Sequence, residues 1–218
     1  TTEIYTLSLH DALPISLLLL TFLGQLVSAQ TLKEFFNSSE VSLTYLGIDF
    51  TQAKLYNDMT ANTLDIRNRL YASINQVVVN EPKRYPVGEA FVKSNVTNDL
   101  RYTLEKNNKI DAEKIIEMDA ETERLKRSNI ESIIKGYDFK DKKGVGLIFI
   151  MENMNKATAQ ASMYVTLINM GTKKVLLTER MIGKAGGIGF RNYWAKTINA
   201  VVDEIKKAKY KEWKAKEG

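Results

Sequence analysis

The chain has 218 residues, with 31 lysines and arginines against 26 acidic residues and a formal net charge of +5. It contains no cysteine, which excludes disulfides, thiolate nucleophiles and cysteine-based zinc sites. Its single histidine, His10, lies in a segment that we interpret as a translation artefact, so histidine-based triads and dyads are excluded as well.

The first 29 residues are expected to lie outside the folded domain. Residues 1–16, TTEIYTLSLHDALPIS, resemble the codon-by-codon translation of a sequencing adapter, and we interpret them as an artefact. Residues 17–29 resemble a truncated signal peptide, because a short apolar run precedes the small-residue motif Val27-Ser28-Ala29. The run is too short to span a bilayer. We therefore expect cleavage before Gln30, a periplasmic or secreted location, and no transmembrane span.

Residues 30–218 are expected to form a single α/β domain, since a chain of this length buries one good core. Residues 1–29 contain only Glu3 and Asp11 as charged side chains, so the rest of the chain carries a formal charge of +7. This balance favours contact with anionic surfaces, although an even spread of lysines explains it equally.

The first half of this domain alternates strand and helix patterns. A β-rich alternation over Val41–Phe50 predicts the first strand, and Thr97–Asn107 predicts a helix. Lys114–Met118 is either a short strand or a helical turn. Ser128 and Glu131 match a capping box that would open the next helix. A further helix is predicted over residues 61–78, with one buried face formed by Leu64, Leu70, Tyr71, Ile74 and Val78.

The second half carries the clearest patterns. The uncharged run Val145–Met151 predicts a central strand covered on both faces, with a buried helix as the competing interpretation. With Ala161–Ile168 and Val175–Ile182 it predicts a three-stranded antiparallel meander, and residues 152–156 are expected to form its first loop. A long C-terminal helix follows, with one apolar face formed by Phe190, Trp194, Thr197, Ile198, Val201, Ile205 and Ala208. The predicted fold is α/β (α+β), a mixed sheet with helices packed on it.

A glycine cluster at residues 183–189, GKAGGIG, between the last predicted strand and this helix, is the main candidate site. Gly186, Gly187 and Gly189 would let backbone N–H groups face an anion or a partner at the helix N-terminus, with Lys184 and Arg191 adding charge. The alternative is a tight crossover that only glycine fits. The cluster matches neither the phosphate-loop nor the dinucleotide pattern, and we expect no cofactor and no metal.

Other candidates are less specific. Glu152 with its neighbouring Asn and Lys residues forms a polar group, and Asp119 with Glu121 is a carboxylate pair suited to acid/base chemistry, but the spacing singles out no catalytic residue. Tyr193 and Trp194 suit either stacking on a ligand or core packing. The lysine-rich C-terminal end suits an anionic membrane surface or envelope polymer, or simply a solvated helix end, and no nucleic acid is expected.

The segments GVGLIFIMENMNK and TKKVLLTERMIGKAGGIGFRNYW, between Gly144 and Trp194, resemble a family of small uncharacterised secreted proteins of Bacteroidetes-type bacteria. The resemblance implies export and carries over no catalytic residue. The element order is also similar, more loosely, to periplasmic α/β domains of the TolB N-terminal and CsgG/LpoB type, with Gly171–Leu176 at their strand-pair turn. Those domains bind other envelope proteins, which is an analogy of fold alone.

Two functions follow as expectations. The first is an exported, non-catalytic binding or assembly module of the cell envelope, with an envelope protein or an anionic envelope polymer as its partner. The alternative is a carboxylate-dependent envelope enzyme that acts on glycans or another anionic polymer. The sequence leaves the oligomeric state open.

Overall fold

The structure is a computed structural model, and it describes residues 32–119, 123–140 and 142–218. The segments predicted to be a translation artefact and a signal peptide, residues 1–29, and Glu121 lie outside these residues. Within the described ranges the chain forms one mixed sheet with helices on both faces, which confirms the α/β class. None of the described helices is long and apolar enough to cross a membrane.

Seven strands form the sheet. They are β1 (Leu43–Asp49), β2 (Lys54–Tyr56), β3 (Val96–Asn98), β4 (Ile116–Glu117), β5 (Val145–Asn155), β6 (Gln160–Asn169) and β7 (Lys174–Lys184). The helices are α1 (residues 32–37), α2 (residues 63–80), α3 (Val87–Ala90), α4 (Arg101–Asn107), α5 (Arg127–Lys135) and α6 (residues 190–217), with a short 3₁₀ turn at Ala112–Lys114. Both long helices, α2 and α6, contain a π-helical turn, at Ile66–Leu70 and Ile205–Lys209 respectively.

The central strand is β5, as predicted, and it divides the sheet into two halves. On one side β1 and then β2 pair with it in parallel, and β3 and β4 pair in parallel with β1 and β2. On the other side β6 and β7 follow as antiparallel neighbours. The predicted meander is therefore matched in part, because β5 also belongs to the parallel half and the strands run further than predicted.

The first face of the sheet packs against α1, α2 and α6. Alternate residues of β5 point into this core, including Leu147, Phe149 and Met151. Trp194 of α6 is completely buried there, which confirms the core interpretation of this side chain. Each large apolar side chain buried in this way contributes roughly 1.5–3 kcal/mol.

The second face packs against α5 and the segment that follows it. Here Ile148 and Ile150 of β5 meet Ile130 and Ile134 of α5, with Tyr137, Phe139 and Leu125 completing the cluster. Because both faces are covered, β5 needs no polar alternation, which explains the continuous apolar run in its sequence.

Two local predictions are wrong, and a third is right only in part. Residues 152–155 continue β5 and do not form a loop, and Glu152 is completely buried. Ser128 does not cap α5, which begins at Arg127, and the side-chain oxygen of Asn129 accepts from the N–H of Lys126 instead. The helix predicted over Thr97–Asn107 is present as α4 but begins only at Arg101, because Thr97 and Asn98 belong to β3.

Candidate functional site

Three strands running in the same direction end at one edge of the sheet, which we call the carboxyl edge. The register pairs Tyr56 with Asn155, Asn155 with Gln160, and Gln160 with Lys184, so β2, β5 and β7 end side by side. Helices α2 and α6 both begin at this edge. In open α/β sheets, ligands bind outside the carboxyl ends of the strands, which makes this edge the first place to search for a site.

A pocket of about 450 Å³ lies between the first turns of α2 and α6. Lys156, just after β5, is placed in it by two contacts. Its ammonium lies 3.4 Å from a carboxylate oxygen of Asp58 and 4.7 Å from the centre of the Tyr193 ring. We call this the edge pocket, and its other lining residues are Ala61, Asn62, Asp65, Ile66, Leu70, Gly187, Gly189 and Phe190.

Exposed apolar side chains flank the edge pocket, and we call them the apolar rim. Met59, Leu64 and Ile188 are 63%, 57% and 92% exposed, and each is the chain neighbour of a pocket-lining residue. Single exposed apolar residues are common, but three next to the lining of one pocket make this region a candidate interaction site.

A second cavity, the basic pocket, lies on the other side of the glycine cluster and has a volume of about 710 Å³. Gly187 lines both cavities. Four cationic side chains line the basic pocket together with two acidic ones, namely Arg84, Lys184, Lys196, Lys207, Asp203 and Glu204. The excess of positive charge makes this cavity suited to acidic groups of a partner.

The glycines of the cluster have structural roles. The N–H of Gly186 donates to the carbonyl of Tyr193, so it is engaged within the protein. Gly187 has a φ of 103°, and Gly189, the N-cap residue of α6, has a φ of 79°, both in the region that favours glycine. At Gly183, in β7, a side chain would meet the backbone of Thr197 in α6.

The structure brings together some of the predicted site residues and separates one from them. Lys184, Gly186 and Gly187 line the basic pocket, and Gly187 and Gly189 line the edge pocket. Arg191 is exposed on the first turn of α6, where its Nε donates to the side chain of Asn192, and it lines neither cavity. The carboxylate pair of Asp119 with Glu121 falls partly outside the described residues.

A buried polar cluster centred on Glu152 was not predicted. One carboxylate oxygen accepts from the backbone N–H groups of Arg124 and Leu125, at 2.7 and 2.8 Å. The other accepts from the Ser162 hydroxyl at 2.9 Å and from Nε of Arg180 at 2.7 Å. The only local signal was a charged residue directly after an apolar run, since the donors lie 10 to 28 positions away.

Two further carboxylates are held in a similar way. Asp49 is completely buried and accepts from the hydroxyl of Tyr137 at 2.6 Å and from the N–H of Thr51 at 2.7 Å. Burial, and then the neighbouring Asp49, raise the pKa of Tyr137 well above its usual value, so this phenol remains a donor. Hydrogen bonds from Arg101 and Lys142 hold the pKa of Asp99 well below its usual range.

Within the three described ranges, no group of three or more acidic or other metal-ligating side chains is arranged to hold a metal ion. The carboxyl edge presents exposed apolar side chains and cationic side chains. No protein-family model matches this chain, and no curated protein is similar to it in sequence, so the geometry of this edge is the basis for proposing a function.

Proposed function

We propose that this chain is an exported, non-catalytic binding or assembly module of the cell envelope, and that it holds its partner at the carboxyl edge. Export is supported by the signal-peptide pattern of residues 17–29 and by the resemblance to secreted bacterial proteins. The observation that carries the binding role is the apolar rim of Met59, Leu64 and Ile188 around the edge pocket, which shares Gly187 with the basic pocket.

The rim and the basic pocket together favour a protein partner. Protein interfaces combine an apolar centre with polar and charged surroundings. The side chain of Ile188, at the tip of the loop between β7 and α6, is the most exposed large apolar group of the described residues. An envelope protein that presents apolar side chains flanked by acidic ones fits this surface, whereas an anionic polymer would use the cationic side chains alone.

The alternative of a carboxylate-dependent enzyme on glycans has less support. A general acid or base needs a carboxyl group that can exchange protons with a substrate in an accessible cleft. Glu152 is completely buried and occupied by four donors, and Asp99 has a lowered pKa because of its ion pairs. These carboxylates stabilise the fold.

The proposal is tested by crosslinking in the native cell envelope, followed by purification of the chain and identification of what is attached to it. We expect one specific envelope protein to be recovered. Ile188→Ser removes the most exposed side chain of the rim, and its matched control is Ile182→Ser, which changes an exposed isoleucine of β7 outside both pockets. The first change should lower recovery of the partner about tenfold, and the second should leave it unchanged.

The contribution of charge is tested on one helix. Lys207 lines the basic pocket, and Lys211, one turn later, is an exposed lysine outside it. Lys207→Glu should weaken recovery and Lys211→Glu should not. Equal effects of the two changes would exclude a specific basic site, and recovery that survives Ile188→Ser but not Lys207→Glu would favour an anionic polymer over a protein.

A further inference from the structure

A third cavity lies beside the edge strand β3 and the first half of β1, and it shares no lining residue with the edge pocket or the basic pocket. Its volume is about 640 Å³, which is in the range of pockets that bind small organic molecules. Much of its lining is apolar and comes from the end of α2, the following loop, the segment around α3, and β3, namely Val78, Val79, Pro82, Pro86, Val87, Val92 and Val96. We call it the tyrosine cavity.

Two phenol hydroxyls in its wall have no partner among the described residues. Tyr45 and Tyr85 both line the cavity, their side chains are 1% and 2% exposed, and neither hydroxyl makes a hydrogen bond. Buried hydroxyl groups are nearly always hydrogen-bonded, because leaving one without a partner is costly. Two such groups in one cavity indicate that a ligand supplies the missing partners.

Both phenols are neutral. Burial, and then the nearby Tyr85, raise the pKa of Tyr45 far above its usual value, and burial also raises the pKa of Tyr85. Each hydroxyl is therefore able to donate a hydrogen bond to an oxygen acceptor.

The charged residues of the cavity are engaged elsewhere. The ammonium of Lys93 donates to the backbone carbonyls of Phe35 and Ser38 and lies over the Phe35 ring. The carboxylate of Glu89 forms an ion pair with Lys206 of α6. The rest of the wall is formed by valines and prolines, by the two tyrosine hydroxyls and by the uncharged side chains of Ser39, Ser94 and Asn98, which suits an uncharged ligand better than an anion.

We propose that the tyrosine cavity binds an uncharged, largely apolar small molecule whose carbonyl or hydroxyl oxygen accepts hydrogen bonds from Tyr45 and Tyr85. The site is separate from the carboxyl edge, and the inference does not depend on partner binding there. Its specificity comes from the two hydroxyls, and its affinity comes from apolar contact with the valines and prolines.

The test uses the whole purified chain and the fluorescent ketone propionyl-dimethylaminonaphthalene, which is uncharged and emits at shorter wavelength when it leaves water. We expect saturable binding with a blue-shifted emission. The double change Tyr45→Phe with Tyr85→Phe should raise the Kd about tenfold, because two hydrogen bonds to the ketone are lost. Both single changes are measured alongside, so that a folding defect in one variant does not remove the test.

Tyr71 provides the matched control. It is also a buried tyrosine whose hydroxyl has no partner among the described residues, but it does not line the cavity. Tyr71→Phe should leave the Kd within about twofold. Absence of saturable binding, equal losses in Tyr71→Phe and the double variant, or an unchanged Kd in the double variant would each overturn the proposal. Tighter binding of the anion anilinonaphthalene sulfonate at this cavity would overturn the uncharged class.

Discussion

Glu152 shows how a single residue joins distant parts of this chain. It lies in the most buried strand, β5, and a charge there is tolerated only because donors surround it. The two backbone N–H groups it accepts from belong to Arg124 and Leu125, just before α5, while Ser162 and Arg180 come from β6 and β7. One carboxylate therefore fixes the segment before α5 onto the second face of the sheet.

Replacing this carboxylate should be strongly destabilising. Glu152→Leu removes the acceptor of two backbone N–H groups and two side-chain donors at a completely buried position. Breaking a buried ion pair by removing one partner costs about 3–5 kcal/mol. We expect a loss of this size in the free energy of unfolding, measured by urea denaturation.

Glu123 is the matched control for this change. Its carboxylate lies 3.9 Å from the guanidinium of the same Arg180, but the Glu123 side chain is 75% exposed. Exposed ion pairs contribute about 0–1 kcal/mol, so Glu123→Gln should have little effect. A loss below about 1 kcal/mol for Glu152→Leu would show that the buried cluster does not stabilise the fold.

Among the elements, α6 and β7 cross at a contact that only glycine permits. A side chain at Gly183 would place its first carbon 2.1 Å from the carbonyl oxygen of Thr197 and 2.8 Å from two other backbone atoms of that residue. Helix α6 carries Trp194 into the core next to this crossing. The close approach explains why the glycine cluster begins inside the strand, before the loop.

Substitutions of single glycines in the cluster by alanine should therefore lower the free energy of unfolding by different amounts. Gly183→Ala forces α6 away from β7 and should cost about 1–3 kcal/mol or more. Gly189→Ala meets no atom within 4 Å, so its cost is that of the positive φ, about 1 kcal/mol. Gly186→Ala, whose nearest contact would be 3.9 Å away, should be almost neutral. Thermal and urea unfolding of the three variants measure this order.

The reverse order would contradict this structural explanation. If Gly186→Ala proved the most damaging, the N–H groups of the cluster would matter more than its packing against α6. A search for an anion that raises the Tm of the unchanged chain would then be the next measurement.

The two π-helical turns explain why helix faces were only partly predicted. A regular helix places Leu64 beside the buried residues of α2, and Ala208 beside those of α6, but both are exposed. Each π turn inserts one extra residue, so the buried face resumes at Tyr71 in α2 and at Tyr210 in α6. The displaced Leu64 thereby becomes part of the apolar rim, which regular periodicity could not indicate.

At the scale of the whole molecule, the elements that could be predicted are those whose own residues form a continuous pattern. The central strand, the two antiparallel partners and the long last helix have continuous apolar signals of their own. Strands β2, β3 and β4 have only two or three residues each, and they exist because parallel neighbours complete their hydrogen bonds. The carboxyl edge and the tyrosine cavity arise from such long-range pairings, so no single segment revealed them.

Asp99 connects three parts of the molecule, and this makes stability depend on pH. It follows β3, and its carboxylate lies 2.8 Å from the guanidinium of Arg101 in α4 and 2.9 Å from the ammonium of Lys142, just before β5. The hydrogen bond from Arg101, aided by Lys142, holds the pKa of Asp99 well below its usual range. The folded chain therefore binds this proton less readily than the unfolded chain does.

The sign of the effect follows from that difference. Above about pH 5 the carboxylate is ionised in both states and its stabilising contribution is complete. As the pH falls from about 5 towards 2, the unfolded chain takes up the proton first, so the contribution decreases with the pH. Asp99→Asn should therefore lower the free energy of unfolding by about 1–2 kcal/mol at pH 7, and the difference from the unchanged chain should shrink steadily in acid.

Urea denaturation of both chains between about pH 2 and 7 measures this difference. Glu131→Gln is the control, since its ion pair with Arg127 joins two exposed side chains of α5 and should contribute less at neutral pH. A difference between the Asp99→Asn variant and the unchanged chain that stays constant over the whole range would show that the Asp99 ion pairs do not set the acid stability. A difference that grows in acid would mean that the pKa of Asp99 is raised in the folded chain, the opposite of what its two cationic partners impose.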